Sequence, residues 1–255
     1  MTSFMLYHHP LSVCSMKVRL ALEEKGLAWS GRVIDIVQKQ EQLEPWYLKL
    51  NPKGVIPTVE FRNGTTKVLT DSAHIIRAIA SLSEGNALLP KDESDRPLMD
   101  QLIDLADDID LHILSYARHP SMEKSEEILN ERIQKTLLMS EKHPKLSANY
   151  VVCANRSEKT KKFRVDKQYI ETVENNALEA IIFVEKQLQD NDFLLGNTYT
   201  VADVIWTVAL SRFDLLGYSS WLDKNIFPRL ASYYLRMQQR KSYTLAQVQS
   251  HWWSK

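Results

Sequence analysis

An α/β domain followed by an all-α domain is the fold class this sequence predicts, and three observations carry the prediction. Up to residue 83, short apolar runs of strand length alternate with helical patterns and include the hairpin signal Asn63-Gly64. From Pro97 onward the pattern is helical almost throughout, with few glycines or prolines to interrupt it. Between the two, Glu84 to Asp95 is polar and contains Gly and Pro, the composition of an interdomain linker. A chain of 255 residues is long enough for two cores. The expected division is therefore residues 1–83, a linker over 84–95, and a helical domain over 96–255.

Phe4-Met5-Leu6-Tyr7 reads as a buried strand that His9-Pro10 ends. A helix starts near Cys14, places Val18, Ala21 and Leu22 on one face, and stops at Gly26. Arg32 to Val37 alternates as a second strand. Thr58-Val59-Glu60-Phe61 and Lys67-Val68-Leu69-Thr70 form a hairpin, and Asp71-Ser72 opens a helix through Ile75, Ile76 and Ile79. Strand, helix, strand, connection, hairpin, helix is the thioredoxin-like order, with the hairpin at one side of a mixed sheet. In the second domain the spacing predicts one helix from Leu98 towards Tyr116 and another from about Ser125 to Lys142. A basic stretch follows, Arg156, Lys159, Lys161, Lys162 and Arg164, which reads as a solvated helix face or loop.

Thirty-two basic residues balance 32 acidic ones, so no strong field for nucleic acid or for an anionic membrane surface is expected. The longest apolar segment, near Val204 to Leu210, is too short to span a bilayer, which takes ~20 residues. The N-terminus lacks the basic and apolar regions of a signal peptide. The two cysteines, Cys14 and Cys153, lie in different predicted domains and form no disulfide framework, which fits a reducing, cytoplasmic compartment. The seven histidines show no metal-ligand spacing, so no metal is expected.

Four groups of residues stand out. Ser12-Val13-Cys14-Ser15 falls at a predicted helix start, where free N–H groups stabilise a thiolate and a serine hydroxyl can donate to a ligand sulfur; the same residues also read as helix caps around a small buried thiol. In Asn51-Pro52-Lys53-Gly54-Val55-Ile56-Pro57-Thr58, a cis Pro57 would turn the chain and expose the backbone of Ile56 to an extended peptide; an ordinary trans strand start remains open. Asp71-Ser72 matches the ammonium and carboxylate of an amino-acid head group, or a plain N-cap. Thr200 with Asp203 is a capping-box pair that starts a buried helix.

In order and spacing, the first three groups resemble the glutathione site of the glutathione S-transferase superfamily. Thr200 and Asp203, after Leu194-Leu195-Gly196, resemble its C-terminal helix-capping motif. Within the superfamily the chain is similar to the bacterial tetrachlorohydroquinone reductive dehalogenases, in Val13-Cys14-Ser15-Met16-Lys17, in Glu141 to Leu146, in Ala202 to Val208, in Tyr233 to Met237 and in Trp252-Trp253. A long insertion around 141–167 also resembles the ganglioside-induced differentiation-associated proteins. The Ser-x-Cys-Ser pattern is similar to the zeta-class maleylacetoacetate isomerases, with Val13 where those commonly have serine.

The resemblance implies the glutathione S-transferase fold, a thioredoxin-like domain with a C-terminal helical bundle, and glutathione as co-substrate. Cys14 would be the reactive thiol, with Ser12 and Ser15 near the glutathione sulfur. Ile56 and Pro57 would hold the cysteinyl part, Asp71 and Ser72 the γ-glutamyl part, with Lys53 and Val55 lining the same site. A small electrophile would meet the helical domain near His112, Tyr116 and Arg118. A homodimer is implied. Three activities follow: glutathione transfer extending to reductive dehalogenation of halogenated hydroquinones, isomerisation of a maleyl double bond, or ligand binding without catalysis.

Overall fold

The computed structural model describes residues 3–63, 65–189 and 191–248. Four strands form one sheet in the order β2-β1-β3-β4. β1 (Ser3–His8) runs parallel to β2 (Trp29–Val33) and antiparallel to β3 (Thr58–Asn63), which pairs with β4 (Thr65–Thr70). Because β1 is central, both its faces are covered: Phe4 and Leu6 enter the main core, while Tyr7 packs with Ile34 and Tyr47 on the other side. That is why it reads as a continuous apolar run. The hairpin's Gly64 and the Trp252-Trp253 motif lie outside the described residues.

Two expectations are corrected. The second strand was expected over Arg32 to Val37, but it pairs over Trp29–Val33, because β1 ends at His8, the partner of Val33. Beyond that point the Asp35 carboxylate accepts the N–H groups of Val37 and Gln38 and turns the chain. The expected helix from Leu98 to Tyr116 is two helices, α4 (Arg96–Asp107) and α5 (Leu111–Ala117). Asp110 breaks it by capping α5, its carboxylate accepting from Ile113 N–H at 3.0 Å. Aspartate favours this local bond over a helix interior.

α1 (Val13–Lys25) and α3 (Ser72–Ala80) cover the sheet, and Gly26 ends α1 at φ 72°, as the pattern predicts. The short α2 (Pro45–Leu50) closes the other face. In the helical part, α9 (Val201–Leu215) lies at the centre, buried on all sides from Val201 to Phe213. It packs on α1 as well as on α4, so one apolar core runs through both halves. Its start is set by Asp203, whose carboxylate accepts from Thr200 N–H at 2.8 Å, Leu194 N–H at 3.0 Å and Tyr233 O–H at 3.0 Å. α8 (Lys167–Leu188), α10 (Pro228–Gln238) and α11 (Lys241–Leu245) complete the bundle.

α6 (Met122–Lys142) and α7 (Ser147–Phe163) pack against each other with a small core of their own, Leu43, Leu48, Met139, Tyr150 and Cys153. The segment that resembles an insertion is thus joined to the strand-bearing half. Tyr150 O–H donates to Leu43 C=O at 3.0 Å, and Arg156 donates to Lys53 C=O at 2.7 Å. The basic stretch divides accordingly. Lys159 and Lys162 are exposed, whereas Arg156 turns inward and Arg164 is buried on Glu126. No described helix is long and apolar enough to cross a membrane.

Candidate functional site

A cavity of about 720 Å³ opens between the two halves. One wall is built from the start of α1, the turn before β3 and the start of α3. The other comes from α5, α6 and α7, with α9 behind.

On the first wall, Ser12 is the N-cap of α1 and its hydroxyl accepts Ser15 N–H at 3.2 Å. Cys14 is then the second residue of the helix, a free and exposed thiol within the field of the unpaired first-turn N–H groups. The Ile56-Pro57 peptide is cis. Val55 C=O is held from behind by Tyr47 O–H at 2.8 Å and Asn51 Nδ2 at 2.7 Å. Among the described residues nothing hydrogen-bonds to the N–H or C=O of Ile56, which leaves both for an extended peptide. Asp71 sits at φ 78°, a positive value that costs a non-glycine residue roughly 1–3 kcal/mol. Its carboxylate caps α3 through Ala73 N–H at 3.0 Å and stays exposed, beside the buried Ser72. An unpaired strand-like peptide group flanked by a carboxylate, a hydroxyl and a helix N-terminus fits the backbone and γ-glutamyl head of glutathione.

On the second wall, His112 and Tyr116 both line the cavity. The His112 ring bonds the Thr160 hydroxyl at 3.1 Å and meets the Tyr116 ring at a centroid distance of 5.0 Å. Its open surface faces the cavity, yet enclosure by protein, reinforced by the Arg132 charge, pushes its pKa down to about 4. At neutral pH it is a neutral ring. Arg132 donates to Tyr116 O–H at 3.3 Å and to Ile36 C=O at 3.0 Å. Burial pushes the Cys153 thiol pKa up. Lys17 of α1 and Asp107 of α4, both lining the cavity, form an ion pair that ties the strand-bearing half to α4.

Nine of the twelve residues named from the sequence meet at this cavity: Ser12, Cys14, Val55, Ile56, Pro57, Asp71, Ser72, His112 and Tyr116. Three do not. The Ser15 hydroxyl is fully buried and accepts His9 N–H at 3.4 Å, because a residue one step beyond Cys14 points back under the loop. The Lys53 side chain is exposed, and it is the backbone of Lys53 that is engaged, its N–H donating to Asn51 and its carbonyl accepting from Arg156 and Cys153. Arg118 lies outside the cavity, paired with Glu174 at 2.7 Å and stacked 4.4 Å over the Tyr218 ring.

Sequence reasoning missed Arg132, Arg212 and the inward roles of Cys153 and Arg156. Only Arg212 carried a usable signal. It continues the apolar face of Ile205 and Val208 at helical spacing, where a charge is out of place.

Residues 11–82 match the N-terminal domain of glutathione S-transferases and residues 167–236 match their C-terminal domain. The chain is 30% identical over 247 residues to the tetrachloro-p-hydroquinone reductive dehalogenase of Sphingobium chlorophenolicum, covering 97% of this chain and 96% of that one. It is 26% identical to human ganglioside-induced differentiation-associated protein 1-like 1, over 93% of this chain and 72% of that protein. A glutathione transferase from Burkholderia graminis, solved with two glutathione molecules bound per subunit, shares the fold with a TM-score of 0.70 at 17% identity, covering 96% of this chain and 87% of that one. The chain belongs to the glutathione S-transferase family. It is a glutathione-dependent transferase, and glutathione is its co-substrate.

Proposed function

We propose that this chain carries out glutathione-dependent reductive dehalogenation of a halogenated hydroquinone. The observation that carries this reading is a free, exposed cysteine at the second position of α1, on a cavity wall whose adjoining turn leaves Ile56 unpaired among the described residues. The similarity to the Sphingobium enzyme supports it.

In this reading Ile56, Asp71 and Ser72 hold the tripeptide, and Ser12 with the N-terminus of α1 stabilises its thiolate. The thiolate replaces a ring halogen, giving an aryl thioether and a halide ion. Cys14 then attacks the thioether sulfur. The carbon–sulfur bond breaks, its electron pair and a proton go to the ring, and Cys14 is left in a mixed disulfide with glutathione. A second glutathione thiol exchanges with that disulfide, freeing Cys14 and releasing oxidised glutathione. Two thiols are oxidised and the ring is reduced by two electrons. The working unit in this reading is a homodimer, as is usual in the family.

Calorimetric titration with glutathione tests the site. Saturable binding is expected, weakened in Ser72→Ala by about 1.5–3 kcal/mol, the worth of a hydrogen bond to a charged group. Halide release from halogenated hydroquinones tests the reaction. Isomerisation of a maleyl compound with glutathione unconsumed would instead favour the isomerase alternative.

A further inference from the structure

Among the described cations that line the cavity, Arg212 is carried by the central helix α9. It is 2% exposed and sits on α9 among apolar neighbours. One guanidinium nitrogen donates to Leu11 C=O at 2.8 Å, in the loop that leads to Cys14. The other terminal nitrogen is buried and has no partner, and no carboxylate among the described residues pairs with the group. Burial pushes its pKa down to about 10, and the neighbouring Cys14 side chain acts against that shift.

A buried cation with an open donor is costly, and leaving a charged group's bond unmade costs more than a bond gains. The Leu11 contact alone does not account for it, since a neutral amide would serve. Among the described residues nothing fills the donor, and Cys14 makes no hydrogen bond to it. What completes the group therefore enters with a ligand.

This step rests on the glutathione-dependent reading above. In that reading the tripeptide lies along Ile56 with its γ-glutamyl carboxylate at Ser72, and its sulfur reaches Cys14. Arg212 stands at the sulfur end, where the tripeptide has no carboxylate to offer. We propose that Arg212 binds an anionic oxygen on the ring of the second substrate, so that the electrophile is held as a phenolate. Neutral alkyl halides and O-alkylated rings lack the group this donor selects.

The test compares 2,6-dichlorophenol with 2,6-dichloroanisole, its O-methyl ether, as dead-end probes of the full-length protein saturated with glutathione. Wild type is expected to bind the phenol about 10-fold or more tightly than the ether. The preference should vanish below the phenol's own pKa. Arg212→Gln should abolish the preference with glutathione affinity unchanged, and Arg212→Lys should keep part of it. A preference that survives in Arg212→Gln, or its absence in wild type that binds both probes, overturns the assignment. If Arg212→Gln does not fold, the lysine variant and the wild-type pH profile decide. Failure of wild type to bind glutathione overturns the glutathione reading alone, and the same phenol–ether comparison without glutathione then judges Arg212.

Discussion

The two walls of the cavity are made of different materials. The wall of α1, the Val55–Pro57 turn and α3 offers backbone groups and short side chains, each placed by a local device: Ser12 as N-cap, Asn51 behind Val55, Asp71 as N-cap. The wall of α5, α6 and α7 offers long side chains from three helices, Tyr116, Arg132 and Arg156 among them, whose positions depend on how those helices cross. A site built from local devices keeps its geometry while the facing wall varies. One half of the cavity is thereby suited to a constant co-substrate and the other to a changing electrophile.

The largest expected effect separates chemistry from binding on the first wall. Cys14→Ser should retain glutathione affinity and lower halide-independent turnover of the thioether by about a thousandfold, with the conjugate accumulating in single-turnover chromatography. A fully active serine variant would show that the first wall only binds.

The joint between the walls comes next. Gly54 has φ 59°, and a Cβ there would stand 2.7 Å from Cys153 Sγ of α7. Gly54→Ala should destabilise the protein by about 2–4 kcal/mol in denaturant unfolding, from backbone strain plus crowding. Adding Cys153→Ala should recover about 1–2 kcal/mol of it, the crowding part. No recovery would mean that the walls are not coupled at this point.

The last effect concerns acid. His8 lies under the first wall, beside Arg19, which donates to His9 C=O at 3.1 Å and Pro10 C=O at 3.0 Å. Burial and the Arg19 charge push the His8 pKa down to about 4. The unfolded chain binds the proton more readily, so stability from His8 is complete above about pH 6.5 and is lost as pH falls towards 4. The loss should reach about 3 kcal/mol. His8→Gln, which keeps an acceptor for Arg19 without a titrating ring, should flatten that part of the stability profile.

Much of the first wall was legible in the sequence because its devices are short-range. A serine before a helix, a Val-Ile-Pro turn and an Asp-Ser helix start act within four residues of themselves, so their spacing carries their geometry. Ser15 shows the limit, since a one-residue step along α1 turns a hydroxyl from the cavity to the underside of the loop. The second wall was legible only in part. His112 and Tyr116 reach the cavity, but Arg118, two residues on, is turned by the helix towards Glu174 and Tyr218.

By itself the sequence determined the order of elements in the strand-bearing half, the sheet's hairpin, the helix starts at Ser12, Asp71 and Thr200, and the family. These follow from local propensity and from periodicity, which neighbouring residues specify. Only the tertiary structure decided that Cys14 and Cys153 share one cavity, that α7 joins the strand-bearing half, and that Arg212 opens behind Cys14. Each of those depends on contacts between residues a hundred or more positions apart, and no local rule states which helix face will meet which turn.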